Sequence, residues 1–253
     1  MSVDLNQIGI DAVDKFISTF NSRCPEDWAK TLNYPHVRPS PFGAIVVAGD
    51  AAEYASRVNF DWTISTGWDH SEWDYRRVIH TSPEKIHVAG QWSRYNVEGE
   101  IIHTNPIVYV VTRVEGVWGI QSRFGSDQTD KNYDTSGMES RCFKLVAGFM
   151  KNFNNRNVSA CAELLNYPHY GIGVGEIREH QKASDYALSD NTITIESLQS
   201  LQTGKFSMNA GLELNIENDT GNHRFEAVMN ITLRDDHLGI QAWSLLNPDA
   251  VDG

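Results

Sequence analysis

The sequence predicts an α+β chain made of two copies of one plan, each with helices first and a long, curved antiparallel sheet after. Two repeats at different spacings and one order of elements predict it. Leu32-Asn33-Tyr34-Pro35-His36 returns as Leu165-Asn166-Tyr167-Pro168-His169, 133 positions later. At the same spacing Phe16, Phe20, Asn21, Arg23 and Ala29 meet Phe149, Phe153, Asn154, Arg156 and Ala162. Further on the spacing becomes 120: Lys85, His103, Val108, Thr112 and Gly119-Ile120-Gln121 meet Lys205, His223, Val228, Thr232 and Gly239-Ile240-Gln241. The second copy is therefore 13 residues shorter between the pentapeptide and its sheet. Solenoid repeats run to roughly 50 residues, so so long a period marks a duplicated domain. The expected domains are residues 1–126 and 137–253.

In the first copy, Ile10, Val13, Phe16, Ile17 and Phe20 recur at three- and four-residue steps and make one apolar stripe on a helix over residues 8–22. A second short helix covers 25–32, with Pro25 in a first turn that needs no N–H from it. Pro35 ends it, because proline disfavours a helical residue before itself. Residues 36–47 read as an irregular strand, since Pro39 and Pro41 cannot donate to a ladder. Asp50 can cap a third helix over 51–58. Four strands rich in β-branched and aromatic residues follow at 72–80, 85–95, 101–113 and 117–124, joined by short turns that require antiparallel pairing.

The polar stretch 127–136 reads as a linker between the copies. The second copy then repeats the plan. Helices are expected at 140–154 and 159–165, a strand near His169, a short helix near 182–188, and strands at 192–202, 205–216, 224–234 and 238–246.

Composition narrows the classes. About 40% hydrophobic and 21% charged residues give the balance of a globular chain with a core. A net charge of -12 argues against nucleic acid and against an anionic membrane surface, and suits a neutral or cationic ligand better. No stretch reaches the roughly 18 apolar residues of a membrane span. Met1 to Asn6 shows no basic region leading into an apolar run, so no signal peptide is expected. Cys24, Cys142 and Cys161 are scattered, without a CxxC or a zinc-spaced His pair, so neither disulfides nor a metal is expected and the cytoplasm is the expected location. There is no phosphate loop, GxSxG elbow or HExxH, so no cofactor is expected.

Alternation assigns the strand faces. In the second copy Phe206, Met208, Ala210, Leu212 and Leu214 share one face, and Phe225, Ala227, Met229, Ile231 and Leu233 share the matching face of the next strand. Shifting by 120 places Ile86, Val88, Gly90, Trp92 and Arg94, then Asn105, Ile107, Tyr109, Val111 and Arg113, on the inner face of the first copy. Trp73 and Tyr75 stand where the second copy has Ile193 and Ile195. The second interior is thus aliphatic, whereas the first mixes aromatics with an arginine, the makeup of a small-molecule pocket.

LNYPHVR, IHVAGQWSRYNVEGE and VYVVTRVEGVWGIQSR resemble the SnoaL-like, or nuclear transport factor 2-like, superfamily. The first copy matches along most of its length; the second matches at LNYPH and the GIQ strand but lacks an equivalent of Ser93-Arg94-Tyr95. The resemblance implies two cone-shaped domains, each with helices packed in a curved antiparallel sheet around a pocket. Members commonly pair through their outer sheet faces, so a tandem chain would form an intramolecular pseudo-dimer, with higher oligomers open to it. The superfamily includes isomerases, dehydratases, polyketide cyclases, transport factors and proteins without assigned activity, so the fold alone does not choose among them.

Arg94 is the sharpest candidate: its guanidinium can clamp a carboxylate or polarise a carbonyl, or else run to solvent or pair with Asp74 or Glu98. Tyr34, Trp73, Trp92 and Tyr109 are the candidate walls of the ligand site. His36 with Tyr34 can transfer a proton, but both recur in the second copy, which favours a structural joint. Asp61 and His70, in the stretch the second copy lacks, offer acid/base groups or belong to a solvated loop capping the sheet. Gln121 and Gln241 alternate away from Ile120 and Ile240 and are read as outer-face residues where the sheets pack together.

These residues favour a small-molecule binder with its pocket in the first copy, for an apolar or aromatic ligand bearing a carbonyl or carboxylate. A cofactor-independent isomerase, dehydratase or cyclase using acid/base groups in the same pocket is the alternative, and an assembly module the second.

Overall fold

The computed structural model describes residues 4–40, 45–126 and 134–250. The first half contains α1 (Leu5–Asn21), α2 (Pro25–Ala29), β1 (Leu32–Arg38), β2 (Val46–Ala48), α3 (Ala51–Ser56), α4 (Phe60–Ser65), β3 (His70–Thr81), β4 (Lys85–Tyr95), β5 (Ile101–Val114) and β6 (Val117–Gly125). The second contains α5 (Ser136–Asn154), α6 (Val158–Ala162), β7 (Leu165–Ile172), β8 (Ile177–His180), a single 3-10 turn at Ala183–Asp185, β9 (Thr192–Thr203), β10 (Ser207–Asn218), β11 (Gly221–Arg234) and β12 (His237–Leu246). The sheets have the same order, β2-β1-β6-β5-β4-β3 and β8-β7-β12-β11-β10-β9. Each long helix lies in the hollow of its own sheet: Val13, Phe16, Ile17 and Phe20 pack on Ile86, Val88, Tyr109 and Val111. Val146, Phe149, Met150 and Phe153 pack on Met208, Leu212, Met229 and Ile231. The expected pair of α+β cones is present.

Several boundaries differ. The repeated pentapeptide is the start of a strand, not the end of a helix, and both its X-Pro bonds, Tyr34-Pro35 and Tyr167-Pro168, are cis. The expected loop around residue 61 is the helix α4, capped by Asn59, whose side chain accepts from Trp62 N at 2.8 Å. That helix anchors Phe60 and Thr63 inside, which outweighs the polar residues beside them. Asp50 caps α3 as expected, accepting from Glu53 N at 2.8 Å. Most of the expected linker, and Pro41, lie outside the described residues.

One joint closes each cone, and it is built by the repeated segment. β1 runs parallel to β6, and β7 parallel to β12, while the other pairings are antiparallel. Asn33 Nδ2 donates to the Thr112 carbonyl at 2.7 Å, and Asn166 Nδ2 to the Thr232 carbonyl at 2.6 Å. His36 Nδ1–H donates to the Ile120 carbonyl at 3.1 Å, and His169 Nδ1–H to the Ile240 carbonyl at 2.9 Å. Tyr34 Oη donates to Ala29 O and Tyr167 Oη to Ala162 O, at 2.8 and 2.9 Å. Gly119 has to be glycine here: a Cβ would come within 2.7 Å of Asn33 Oδ1.

β-Bulges correct the register of the repeat. The ladder shifts between Trp73 and Tyr75 and between Val78 and His80 in the first half, and at the corresponding places in the second. His80 opposite His87 therefore matches Gln202 opposite Asn209, an offset of 122 for β3 and β4, not 120. The turn between β4 and β5 holds the two extra residues. Arg94 thus corresponds to Ile216, Trp73 to Ile195 and Lys85 to Ser207. The same bulge turns Tyr75 outward, opposite Gln91, where it is exposed, and leaves Asp74, the extra residue, exposed beside it; the inward place opposite Gly90 goes to Arg76, which donates to Asp14 on α1. Asp74 is held there by bonds from Gln91 and Ser93, both 2.8 Å.

The outer faces of the two sheets pack on each other through Val37, Ala89, Val108, Val110 and Phe124 from one half and Tyr170, Ile172, Val228 and Ala242 from the other. Polar groups cross this seam. Lys85 Nζ donates to the carbonyls of Ile172 and Leu245 at 2.7 and 3.0 Å, and burial pulls its pKa down to about 8. Gln202 Nε2 donates to Gly90 O and Ile107 O at 2.7 and 2.9 Å. Gln121 Oε1 accepts from Gly175 N at 3.0 Å, which fits its expected place between the sheets. The pseudo-twofold relation is visible in side chains: Asn209 reaches the Phe124 carbonyl at 2.7 Å, and His87 Nε2 lies 2.9 Å from Ser244 Oγ. Among the described residues no helix is long and apolar enough to cross a membrane, and no three His, Cys, Asp or Glu residues are grouped to hold a metal ion.

His80 and His87 face each other Nδ1 to Nδ1 at 3.0 Å inside this seam, so one of the two rings must accept. Burial, with Arg224 adding repulsion, lowers the His80 pKa to about 4; burial, with His80 and Lys85, holds His87 well below the usual 6.5. The unfolded chain binds these protons first, so stability is full above pH 6.5 and is lost as pH falls toward 4. For His80 the full loss is roughly 3 kcal/mol. His80→Gln with His87→Asn installs the pair found in the second half, and thermal melts from pH 7.5 to 4.5 should then show a shallower decline. Equal slopes in the two proteins would contradict this assignment.

Candidate functional site

The first cone contains an open cavity of about 280 Å³, placed between α1, α2, the two short helices α3 and α4, and the strands β1, β4 and β6. Phe20, Trp28, Tyr54 and Trp62 supply aromatic walls, and Arg38, Arg57, Arg94 and Arg123 supply charge; Arg57 is paired with Glu53, which leaves three. Each wall has a local cause. Trp28 is carried inward by α2 and packs between Phe16 and Phe20, with ring centroids 5.1 and 4.8 Å away. The Asp50 and Asn59 caps start the helices that deliver Tyr54 and Trp62. Tyr54 is buried, whereas Trp62 is 62% exposed at the mouth.

The three arginines come from three different strands. Arg38 ends β1, and the parallel register, Val37 beside Ser122, sets it next to Arg123 on β6. Arg123 faces inward because the ladder shifts between Val110 and Val111, leaving Gln121 as an extra residue and pairing Arg123 with Tyr109. Its guanidinium lies 4.8 Å from the Phe16 ring and 5.4 Å from Trp28, and donates to Tyr54 Oη at 2.7 Å. Arg94 on β4 lies over Phe20 and Trp92 at 5.6 and 5.7 Å. Among the described residues none of the three has a carboxylate within ion-pair distance.

Electrostatics follow from that composition. Arg38 reaches solvent at the mouth, yet the protein packed round it and the nearby Arg123 charge bring its pKa down to about 10. Desolvation also lowers that of Arg94. The protein supplies no hydrogen-bond partner to Arg94 Nε, Arg123 Nε or Trp28 Nε1, all buried in this half. Buried donors are nearly always paired in folded proteins, so this set is a cost to the folded state of the first cone.

The second cone shows what the scaffold does without that task. Gly171 and Trp243 occupy the register positions of Arg38 and Arg123, and Ile216 that of Arg94. Trp243 stacks edge-on to Phe149 at 5.8 Å, and the remaining pocket of about 40 Å³ is lined by Met150, Ile193, Leu214 and Ala227 among others.

Of the candidates read from the sequence, Arg94 lines the cavity. Trp92, Tyr109 and Trp73 do not line it: they belong to the core of the cone, with Tyr109 5.7 Å from Phe16 and 5.9 Å from Trp73, and Trp92 6.0 Å from Phe20. His36 is fully buried behind the wall, edge-on to Tyr54 at 5.5 Å, and is held neutral by burial and by Arg123. Tyr34 sits in the joint beside it, and burial raises its pKa. Asp61 lies exposed in the first turn of α4. His70 is stacked on Tyr95 at 5.2 Å and bonded to Asp69 at 2.9 Å at the start of β3. The structure therefore does not bring His36, Asp61 and His70 together in the cavity. Arg38, Arg123, Trp28, Tyr54 and Trp62 had not been singled out. The signal was present: two residues past Gly-Ile-Gln the copies read Arg123 and Trp243, and LNYPHVR stands against LNYPHYG. Overall charge misled as well, since the cavity is locally cationic in a chain of net charge -12.

An unpaired guanidinium in such a place is costly to the folded state. Arg94→Ile, which copies the second half, should therefore raise stability by about 1 kcal/mol in urea titrations. A loss of similar size would show that Arg94 holds the cone together.

No family model matches this chain, and no curated protein does. Solved structures similar to it include an NTF2-like protein of unknown function from Pseudomonas putida KT2440, at TM-score 0.39 and 8% identity, covering 46% of this chain and 91% of that one. A dehydratase candidate of the NTF2-like family from Streptomyces avermitilis has TM-score 0.39 and 9% identity over 46% of this chain and all (100%) of its own. The association domain of C. elegans CaMKII has TM-score 0.37 and 5% identity over 44% of this chain and 96% of its own. Each of these likenesses spans roughly half of the chain, and at these identities each is one of fold alone.

Proposed function

We propose that the N-terminal domain, residues 1–126, binds a small apolar or aromatic molecule bearing a carboxylate or carbonyl, and that the C-terminal domain, residues 137–253, is its structural partner. One observation carries this reading: the cavity of about 280 Å³ mixes four aromatic side chains with three arginines that no carboxylate neutralises among the described residues, while the equivalent space in the other cone is filled by Trp243 and aliphatics. Guanidinium forks suit carboxylates, and the rings suit an apolar body. Neither a carboxylate nor an imidazole is among the residues lining the cavity. Binding without turnover therefore fits better than the isomerase, dehydratase or cyclase alternative, in which His36, Asp61 or His70 would move a proton. The assembly reading is weaker because the outer sheet faces already cover each other within the chain. The three free thiols suit a reducing cytoplasm.

The test is a thermal-shift titration with benzoate. A ligand at a hundred times its Kd stabilises the folded state by about 2.7 kcal/mol, so the intact protein should melt at a higher temperature. The double variant Arg38→Gln/Arg94→Ile, neutral on both walls, should lose the shift. A shift of equal size in the variant would remove the cavity from consideration.

A further inference from the structure

Apart from Arg57, which Glu53 neutralises, the positive groups of the cavity form two separate loci. Arg38 and Arg123 are neighbours across the parallel β1–β6 pair. Arg94 stands on β4, with β5 between it and β6. Arg94 opposes His103 on β5 whereas Arg123 opposes Tyr109, so the two anchor points stand two strands apart and six residues apart along β5, and it is their side chains that converge on the cavity. The core behind them is aromatic: Tyr109 is paired with Arg123 across β5 and β6, and Trp92 lies two residues from Arg94 on β4. Phe20 and Trp28 cover the same space from the helices.

Resting on the binding reading above, we propose that the occupant is a small molecule with two separated anionic groups on one apolar body, a dicarboxylate in its simplest form. One group is held between Arg38 and Arg123, the other at Arg94, and the body lies against Phe20 and Trp28. A monoanion would satisfy one locus and leave the other cationic in a desolvated place. The mutual repulsion already felt by Arg38 from Arg123 and Arg94 is what a second anionic group relieves. Arg94 and Arg123 both line the cavity, so each end of such a molecule meets a guanidinium. Tyr54 Oη accepts from Arg123, which leaves its own proton free to donate into the cavity. The corresponding residues of the other cone, Gly171, Trp243 and Ile216, retain neither locus.

Isothermal titration of the full chain at pH 7.5 with benzoate, terephthalate and phenyl phosphate tests this. Terephthalate should bind at least about tenfold tighter than benzoate, since a second charge-assisted contact contributes roughly 1.5 kcal/mol or more. Arg94→Ile and Arg38→Gln should each bring terephthalate close to the benzoate value, with circular dichroism confirming the fold. If terephthalate and benzoate bind alike, the two-locus proposal fails while the anion pocket stands. If phenyl phosphate binds tighter than terephthalate, both charges belong on one group, and the separation is wrong. If none of the three binds the intact protein, the pocket reading and this proposal fall together. The comparison among ligands on the intact protein decides even where a variant does not fold.

Discussion

One extra residue in β6 determines what the first cone contains. Ile120 faces the core, so strict alternation would send Ser122 inward and Arg123 outward. The bulge at Gln121 reverses this, and Arg123 enters the cone while Ser122 turns to the seam, where its hydroxyl donates to the Val37 carbonyl at 2.8 Å. Gln121 is stable there because its amide is used on both sides. Its Nε2 donates to the Pro35 carbonyl, and its Oε1 accepts from Thr112 Oγ1 at 3.0 Å and from Gly175 of the other half. The pentapeptide, the bulge and the seam are therefore a single bonded unit. Its copy at Gln241, which donates to the Pro168 carbonyl, turns Trp243 inward by the same device.

The two halves show how one scaffold supports opposite interiors. In the second, the inward positions from Met208 to Ile216 and from Phe225 to Leu233 are apolar, and the cone is close-packed. In the first, charge and unpaired donors are retained at a cost to stability, as is common where a site must be ready for a ligand. The seam keeps such a half folded. Its buried apolar cluster and the bonds from Gln202, Asn209 and Lys85 tie the less satisfied cone to the better satisfied one.

Much of the fold was legible because it rests on periodicity and repetition. The α1 stripe, the Asp50 cap and the bounds of β4 follow from local patterns that tertiary contacts reinforce. Bulges were not legible, since they change parity without leaving a residue signature. That is why Tyr75 was expected inside and Arg123 was passed over. The repeat itself was read with one slip: Lys85 and Lys205 coincide at 120 by chance, whereas the His80–His87 and Gln202–Asn209 pairs give 122. Arg94 was found because it lies before any parity change on its strand. α4 was missed because its polar face is sequence-visible and its two buried anchors, Phe60 and Thr63, are too few to make a periodic stripe.

The most direct test of a ligand site in the first cone is anomalous diffraction from crystals soaked with 4-bromobenzoate. A bromine peak beside Trp28, with the carboxylate on Arg94 or on Arg38 and Arg123, is the expected result. A peak only in the second cone or in the seam between the sheets would contradict it.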